Sequence, residues 1–377
     1  MSEKATQTLP PDTAAGMLLT LTALSGEFPT ALVSRLPGGE AYKIRVIKRL
    51  KKDGLLRTYY ADGLRGFRLT VVAKRLLMES WPDYFDAWLT GCTETNTLKS
   101  EPLRRLRLHR MAEVLAAMYN AGVAVCPWEK PVLFSPTPPA VGTQVEWPVY
   151  SSSREVKEIG PQRDKIRGSR ATDVLLTRND ILAVYNTGDS VMKWERNSER
   201  RLEALLEMDI GRYRLPGQYT GVQPGAIVFG ADMKMMSTLM GIGGGPCRSG
   251  PRHSNFITED YYNHFYYLTN STHGEFVLQL LCQPEKKAVL DGILMQGLSE
   301  PRLNWYAEHD ALDGDSPVLF GYTCDMPRIR RFAAALQIHG IKGWPYCFDF
   351  QGEALRQICG PNAEIRCMDF EKVERIL

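Results

Sequence analysis

Three helical segments followed directly by two strand-like segments set narrow limits on the fold of the first eighty residues. Periodic apolar positions, with glycine or proline at their ends, predict helices over residues 12–24, 30–36 and 40–53. Strand-like patterns cover 55–60 and 66–72, and the Asp62-Gly63 pair between them is a favoured hairpin turn. Three helices and a hairpin in this order are typical of a winged helix-turn-helix, which we predict for residues 1–80.

The third predicted helix carries its cations on one side. On a helical wheel with a rotation of 100° per residue, four cations fall within a single arc about 100° wide. They are Arg45, Lys48, Arg49 and Lys52. The apolar residues of the segment point in other directions, toward a predicted core: Ile44, Val46, Ile47 and Leu50. Residues 40–79 contain 11 basic and 4 acidic side chains, whereas the whole chain has a net charge of only +3. The positive charge is therefore concentrated in this segment.

The third helix of a winged helix-turn-helix enters the major groove of DNA, where cations contact phosphates and guanine edges. The hairpin adds three arginines near its tip, within reach of the flanking backbone or minor groove. We therefore predict a double-stranded DNA interface formed by these residues: Lys43, Arg45, Lys48, Arg49, Lys52, Arg57, Arg65 and Arg68. A solvated basic face without a ligand, or a winged helix that grips a protein as an adaptor, are the alternatives for the same pattern.

The rest of the chain divides in two. Residues 81–130 are helical in pattern, and we predict that they form a connector; within them, 98–120 is one long segment with arginines among leucines. Four prolines between 131 and 139 mark a linker or a rigid crossing. Beyond them, strands alternate with helices, which implies parallel pairing and an α/β layer sandwich over 131–377. The predicted fold class is α+β followed by α/β.

The first strands of this C-terminal part have the layout of a restriction-endonuclease core. Such a core needs an acid at the start of one strand and an acid-x-lysine on the next, because two carboxylates hold Mg²⁺ and the lysine positions the attacking water. Asp173 fits the first position, but Tyr185 and Thr187 stand where the acid and the lysine belong, and Lys193 lies further along. We predict a degenerate core without a cofactor or catalytic residue. The alternative is a Mg²⁺-dependent nuclease that uses Asp173. The simpler interpretation of Asp173 itself is a structural role in a turn or a helix cap.

Several features together resemble the replication-relaxation proteins of plasmids and integrative elements. They are the winged helix, the arginine-rich helix Arg104-Arg-Leu-Arg-Leu-His109-Arg-Met, and the strand hairpin beginning near Asp173 with a charged helix behind it. The strand and helix predicted over 318–336 are similar to the closing part of proteins in that family. In the second strand of the hairpin, the family typically has an acidic residue where this sequence has Tyr185. The resemblance implies DNA binding in replication, mobilisation or transcriptional control of a mobile element, and it supplies no catalytic residue.

Cysteine usage and hydropathy indicate the compartment. Eight cysteines are scattered without a C-x-x-C pair, as in a reducing cytoplasm. No apolar run approaches the ~20 residues that span a bilayer, and the amino-terminal residues lack a signal-peptide core. The histidine spacings match no metal-binding helix, so no metal site is predicted. We expect a cytoplasmic protein, associated with nucleoid or plasmid, with double-stranded DNA as its partner and no membrane partner. A second copy or other mobile-element proteins are further candidate partners, and the oligomeric state stays open.

Overall fold

The computed structural model describes residues 13–134, 138–140, 142–157, 171, 173–191, 194–242, 262–303 and 305–377. Its contacts divide the chain into two units, Met1–Pro131 and Val132–Leu377. Each unit combines α-helices with β-sheet. In the part of the chain that is described, no helix has both the length and the apolar character needed to cross a membrane.

The first unit is built from helices and a small antiparallel sheet. Its α-helices are α1 (Ala14–Ser25), α2 (Glu40–Lys52), α3 (Val71–Ser80), α4 (Pro82–Leu89) and α5 (Pro102–Asn120). A 3-10 helix, Thr30–Arg35, lies between α1 and α2. The strands are β1 (Phe28–Pro29), β2 (Leu56–Ala61) and β3 (Leu64–Leu69), in the order β1-β3-β2. The three helices and the hairpin predicted from the sequence are thus present, with the second helix in 3-10 form. The prediction is wrong at the end of the second strand, because Val71 and Val72 belong to α3.

Helix α1 lies at the centre of the first unit. The Thr13 side chain accepts a hydrogen bond from the Gly16 amide and so begins the helix. Every residue from Gly16 to Ser25 is buried, including its polar side chains. The hydroxyl of Thr22 donates to the Leu18 carbonyl at 2.6 Å, and that of Ser25 donates to the Leu21 carbonyl at 2.7 Å. The side chains of Thr22 and Ser25 can therefore enter the core, because their hydroxyls are satisfied within the helix.

The hairpin turn has the geometry that its sequence predicts. Asp62 and Gly63 both have positive φ, 53° and 74°, as a two-residue type I′ turn requires. The register that follows pairs Arg57 with Arg68 and Tyr60 with Arg65. Directly opposite residues lie on one face of a sheet, so Arg57 and Arg68 share a face that Arg65 does not.

Helix α5 belongs to the first unit. It begins at Pro102, a favoured first helical residue, and it packs against α1, β1 and β3. The segment that the sequence assigns to a connector is therefore part of the same compact unit as the hairpin.

The second unit contains two sheets. The five-stranded sheet has the order β4-β5-β6-β7-β8, with strands β4 (Val149–Ser152), β5 (Asp173–Leu176), β6 (Ile181–Gly188), β7 (Gly225–Gly230) and β8 (Phe265–Thr269). The four-stranded sheet has the order β12-β11-β10-β9, with strands β9 (Ala311–Asp313), β10 (Ser316–Phe320), β11 (Trp344–Phe348) and β12 (Arg366–Met368).

Helices connect these strands. They are α6 (Ser153–Lys157), α7 (Arg196–Leu205), α8 (Pro216–Tyr219), α9 (Met233–Leu239), α10 (Thr272–Cys282), α11 (Pro284–Leu294), α12 (Met326–His339), α13 (Gly352–Cys359) and α14 (Phe370–Ile376). A π-helix, Leu206–Arg214, continues α7.

Strand direction follows the connections. Strands β4, β5 and β6 form an antiparallel meander, whereas β6, β7 and β8 are parallel, as are β10, β11 and β12. Every residue of β7 is buried, as in a parallel strand covered on both faces. The predicted parallel pairing is confirmed for the strands separated by helices, while β4 and β9 were not predicted.

Candidate nucleic-acid interface

Four cations of α2 point into solvent. Arg45, Lys48, Arg49 and Lys52 are all exposed, on a helix whose buried residues are only Lys43 and Leu50. Among the described residues, a carboxylate lies within ion-pair distance of only one of the four, where Asp53 Oδ2 is 3.6 Å from Arg49 Nε. An exposed pair of this kind contributes about 0–1 kcal/mol, so Arg49 remains available to another anion.

The apolar side of α2 is less deeply buried than its pattern predicts. Leu50 is 1% exposed, but Ile44 is 43% exposed, and Val46 and Ile47 are half-buried. The helix is therefore anchored to the unit through Leu50 and Lys43, while much of its surface is open to solvent. An α-helix with an accessible cationic arc fits the width of a major groove.

The hairpin presents two of its three predicted arginines. Arg57 on β2 and Arg65 on β3 are exposed, and neither has a carboxylate partner within the described ranges. Burial, and after it the nearby Arg57, lowers the pKa of the Lys74 ammonium. That ammonium donates to the backbone and side-chain oxygens of Asn96, at 2.5 and 3.0 Å, so it is already bonded within the unit.

The prediction is wrong for Lys43. Its ammonium is buried and donates to the carbonyls of Ser34 and Leu36, at 2.8 and 3.2 Å, at the end of the preceding 3-10 helix. At 100° per residue Lys43 lies about 160° from Arg45, on the inner side of α2. The helical wheel alone therefore separates Lys43 from the cationic arc.

The prediction is also wrong for Arg68. This side chain is 4% exposed, and its Nη2 atom lies 2.6 Å from Oε2 of Glu27, which is fully buried. A buried guanidinium already paired with a carboxylate is not available to phosphate. The candidate interface is therefore reduced to Arg45, Lys48, Arg49, Lys52, Arg57 and Arg65.

Glu27 is the centre of a buried ionic cluster that the sequence did not reveal. Its Oε1 atom lies 2.5 Å from Arg105 Nη2 and 2.9 Å from His109 Nε2, in addition to the contact with Arg68. Burial by itself raises the pKa of Glu27, but hydrogen bonds from His109, Arg105 and Arg68 outweigh it and hold that pKa at about 2. Glu27 is therefore a carboxylate at neutral pH.

The cluster supports the hairpin. Arg105 also donates to the carbonyls of Ala61 and Leu64, which flank the hairpin turn, at 2.6 and 2.9 Å. The guanidinium groups of Arg68 and Arg105 lie 3.7 and 4.7 Å from the ring centre of Tyr59. The arginine-rich segment of α5 thus fixes the part of the hairpin that carries Arg65.

The second unit contains the residues that the sequence compared with a nuclease. Asp173 is 1% exposed, and its Oδ1 accepts a hydrogen bond from the Ser153 amide at 2.9 Å, where α6 begins. The Tyr185 hydroxyl donates to Glu199 at 2.8 Å and lies 3.0 Å from the Tyr262 hydroxyl. Burial, followed by the nearby Tyr262 and Glu199, raises the pKa of Tyr185 well above its ordinary value. These groups are hydrogen-bonded parts of the core.

The other positions of the nuclease pattern give no metal-binding group. The Thr187 hydroxyl donates to the carbonyl of Ser190, and Lys193 lies outside the described residues. Within the ranges that the structure describes, no three His, Cys, Asp or Glu residues are grouped so that they could hold a metal ion.

The chain matches no protein-family model, no curated protein and no solved structure. The geometry described above is therefore the basis for assigning a function.

Proposed function

We propose that the first unit is a winged helix-turn-helix that binds double-stranded DNA. The observation that carries this proposal is the exposed cationic arc of α2, with Arg57 and Arg65 on the adjoining hairpin. Helix α1, the 3-10 helix, α2 and the β2–β3 hairpin follow one another in the order of that fold. In this arrangement α2 enters the major groove, while the hairpin arginines contact the flanking backbone.

The charges support a polyanion as the ligand. The six cations of the candidate interface are exposed on two adjoining elements, and within the described residues only Arg49 among them is near a carboxylate. Each phosphate contact changes the slope of log affinity against log salt by about 0.9, so six contacts correspond to a slope of about −5. Binding to a protein through the same surface predicts a much shallower salt dependence.

For the second unit, we infer a setting in a mobile element from the resemblance to the replication-relaxation proteins. The antiparallel strands β4, β5 and β6, followed by α7 and by β7 parallel to β6, support a core of the restriction-endonuclease type. Inside this unit, Asp173 accepts a hydrogen bond from the Ser153 amide and Tyr185 donates one to Glu199. We infer a non-catalytic descendant of that core in a protein of the replication-relaxation type. It would act with DNA in replication, mobilisation or transcriptional control.

Charge reversal of α2 tests the DNA proposal. The variant Arg45→Glu/Lys48→Glu/Arg49→Glu is expected to lose binding to a short duplex in fluorescence anisotropy at low salt, with little change in thermal stability because all three side chains are exposed. The matched control is Lys286→Glu/Lys342→Glu/Lys372→Glu in the second unit, which changes the net charge equally.

Comparing the two variants shows whether duplex binding depends on the cations of α2 or only on the net charge of the chain. Binding that is retained in the control and lost in the α2 variant supports the proposal. Equal binding by the α2 variant and the parent chain overturns it. Salt-insensitive capture of a protein by the parent chain, without DNA binding, would instead establish the adaptor.

A further inference from the structure

A cavity in the second unit lies at the carboxyl ends of β7 and β8. Its volume is about 380 Å³, which is within the range of small-molecule sites. The start of α9, the turn between β8 and α10, and α13 form its walls. In open α/β sheets, ligands bind beyond the carboxyl ends of the strands. The cavity therefore occupies the edge of the sheet where a ligand site is expected.

Ser237 of α9 is a polar group in this cavity wall that has no hydrogen-bond partner among the described residues. Its side chain is 5% exposed, and its Oγ atom makes no hydrogen bond with any part of the chain that is described. A buried hydroxyl left without a hydrogen bond is destabilising. A ligand atom that bonds this hydroxyl would remove the penalty.

The amino end of α10 faces the same cavity with little capping. Ser271 stands at the N-cap position, but its hydroxyl pairs with that of Thr269 at 2.7 Å and makes no hydrogen bond to the helix amides. The eleven-residue helix presents a positive dipole end here. A Cβ on Gly274 would lie 1.9 Å from the Thr269 carbonyl oxygen, so the first turn sits directly on the end of β8.

Among the charged side chains of the wall, one cation has no ion-pair partner in the part of the chain that the structure describes. The Asp232 carboxylate accepts from the Met235 amide at the start of α9. The two oxygens of Glu353 accept from Arg356 and Gln357. Lys234, by contrast, makes no ion pair with any described carboxylate and is exposed at the cavity. Both carboxylates thus accept hydrogen bonds from within the chain, while Lys234 and the amino end of α10 can contact an anion.

An aromatic surface completes the wall. The rings of His273 and Phe350 stack with 4.3 Å between their centres and 7° between their planes. Such a surface suits the flat or apolar part of an organic molecule better than a bare inorganic ion.

We propose that this cavity binds a small organic phosphate, such as a nucleoside monophosphate. The phosphate lies at the start of α10 between Ser271 and Lys234, with a hydrogen bond from Ser237, and the organic part lies against Phe350. This site belongs to the second unit and does not use the cations assigned above to DNA.

Binding of AMP and of inorganic phosphate to the full chain tests the proposal. Titration calorimetry at constant ionic strength is expected to show saturable binding of both, with AMP the tighter ligand. The variant Lys234→Met is expected to weaken AMP binding about tenfold, which corresponds to about 1.4 kcal/mol. Lys342→Met, an exposed lysine away from the cavity, is the matched control and leaves the affinity unchanged. Because Lys234 is exposed, both variants are expected to fold.

Three results would overturn the proposal. One is the absence of saturable binding of AMP and phosphate up to about 10 mM, a concentration at which even a weak specific site is partly filled. Another is equal AMP affinity in Lys234→Met and Lys342→Met. The third is weaker duplex binding by Lys234→Met in a chain that does not bind AMP, which would assign the lysine to the DNA backbone.

Discussion

The Nη2 atom of Arg105 lies 2.5 Å from the Oε1 atom of Glu27, and neither side chain is exposed to solvent. The two residues are 78 positions apart, one just before β1 and the other in α5. Arg105 donates as well to the backbone on both sides of the hairpin turn. This pair therefore ties α5 to the tip of the hairpin, and it supports the part of the hairpin that carries Arg65.

Removal of the charge on Glu27 should destabilise the first unit strongly. In Glu27→Gln, the guanidinium groups of Arg68 and Arg105 stay buried without a carboxylate, which typically costs about 3–5 kcal/mol. Urea unfolding followed by circular dichroism measures the change. The control is Glu371→Gln, which removes an exposed carboxylate paired with Arg375 and should change the unfolding free energy by less than about 1 kcal/mol. Similar losses in both variants would contradict a special role for the cluster.

The stability that Glu27 provides should depend on pH in the acid range. The pKa of Glu27 is about 2 in the folded chain, against an ordinary value of 4.5. Because the folded value is the lower one, the contribution is fully present above about pH 4.5 and is lost as the pH falls toward about 2. The parent chain should lose about 3 kcal/mol more than Glu27→Gln over this window. A difference in unfolding free energy that stays constant between pH 5 and pH 2 contradicts this assignment.

A methyl group at Gly66 should disrupt the same cluster. A Cβ at this position would lie 2.4 Å from the Oε1 atom of Glu27, a carboxylate that Arg68, Arg105 and His109 hold in place. We expect Gly66→Ala to lower the unfolding free energy by about 2 kcal/mol or more, as overpacking does in a rigid core. Gly292→Ala is the control, because a Cβ in that exposed stretch of α11 meets nothing within 4 Å and should stabilise the helix by up to about 1 kcal/mol. Equal unfolding free energies for the two variants would show that the Glu27 carboxylate can move to make room for a Cβ at residue 66.

The two hairpin arginines that face each other in the register should have opposite roles. Arg57→Ala is expected to reduce the salt slope of duplex binding by about 0.9 without altering thermal stability, because Arg57 is exposed. Arg68→Met should instead lower stability by about 3 kcal/mol or more and leave the slope of the folded protein unchanged. Anisotropy titrations at several salt concentrations, with melting curves for each variant, distinguish the two. A reduced slope for Arg68→Met would return that residue to the interface.

Asp173 should affect stability and not catalysis. In Asp173→Ala the Ser153 amide loses its acceptor at the start of α6, so we expect a loss of about 1–3 kcal/mol in unfolding free energy. A supercoiled plasmid incubated with Mg²⁺ and the parent chain should show no cleavage that depends on this residue. Cleavage by the parent chain that disappears in Asp173→Ala would establish the nuclease instead.

Local rules were enough for the cationic helix and the hairpin. The solvent-facing arc of α2 follows from helical periodicity, since Arg45, Lys48, Arg49 and Lys52 recur at intervals that return to one side. The turn follows from Asp62-Gly63, because both residues tolerate positive φ. The alternation of strands and helices likewise predicted the parallel pairs, although the pattern did not divide them between two sheets.

Burial and partnership were decided by tertiary structure alone. Arg57 and Arg68 have the same charge, occupy the same hairpin and face each other in the register, yet one is exposed and the other is buried. The difference comes from Glu27, which lies 41 residues before Arg68 and 78 before Arg105 in the chain. A periodic pattern describes neighbours within one element. It carries no information about which distant carboxylate will cover a given cation, because that depends on how the elements pack.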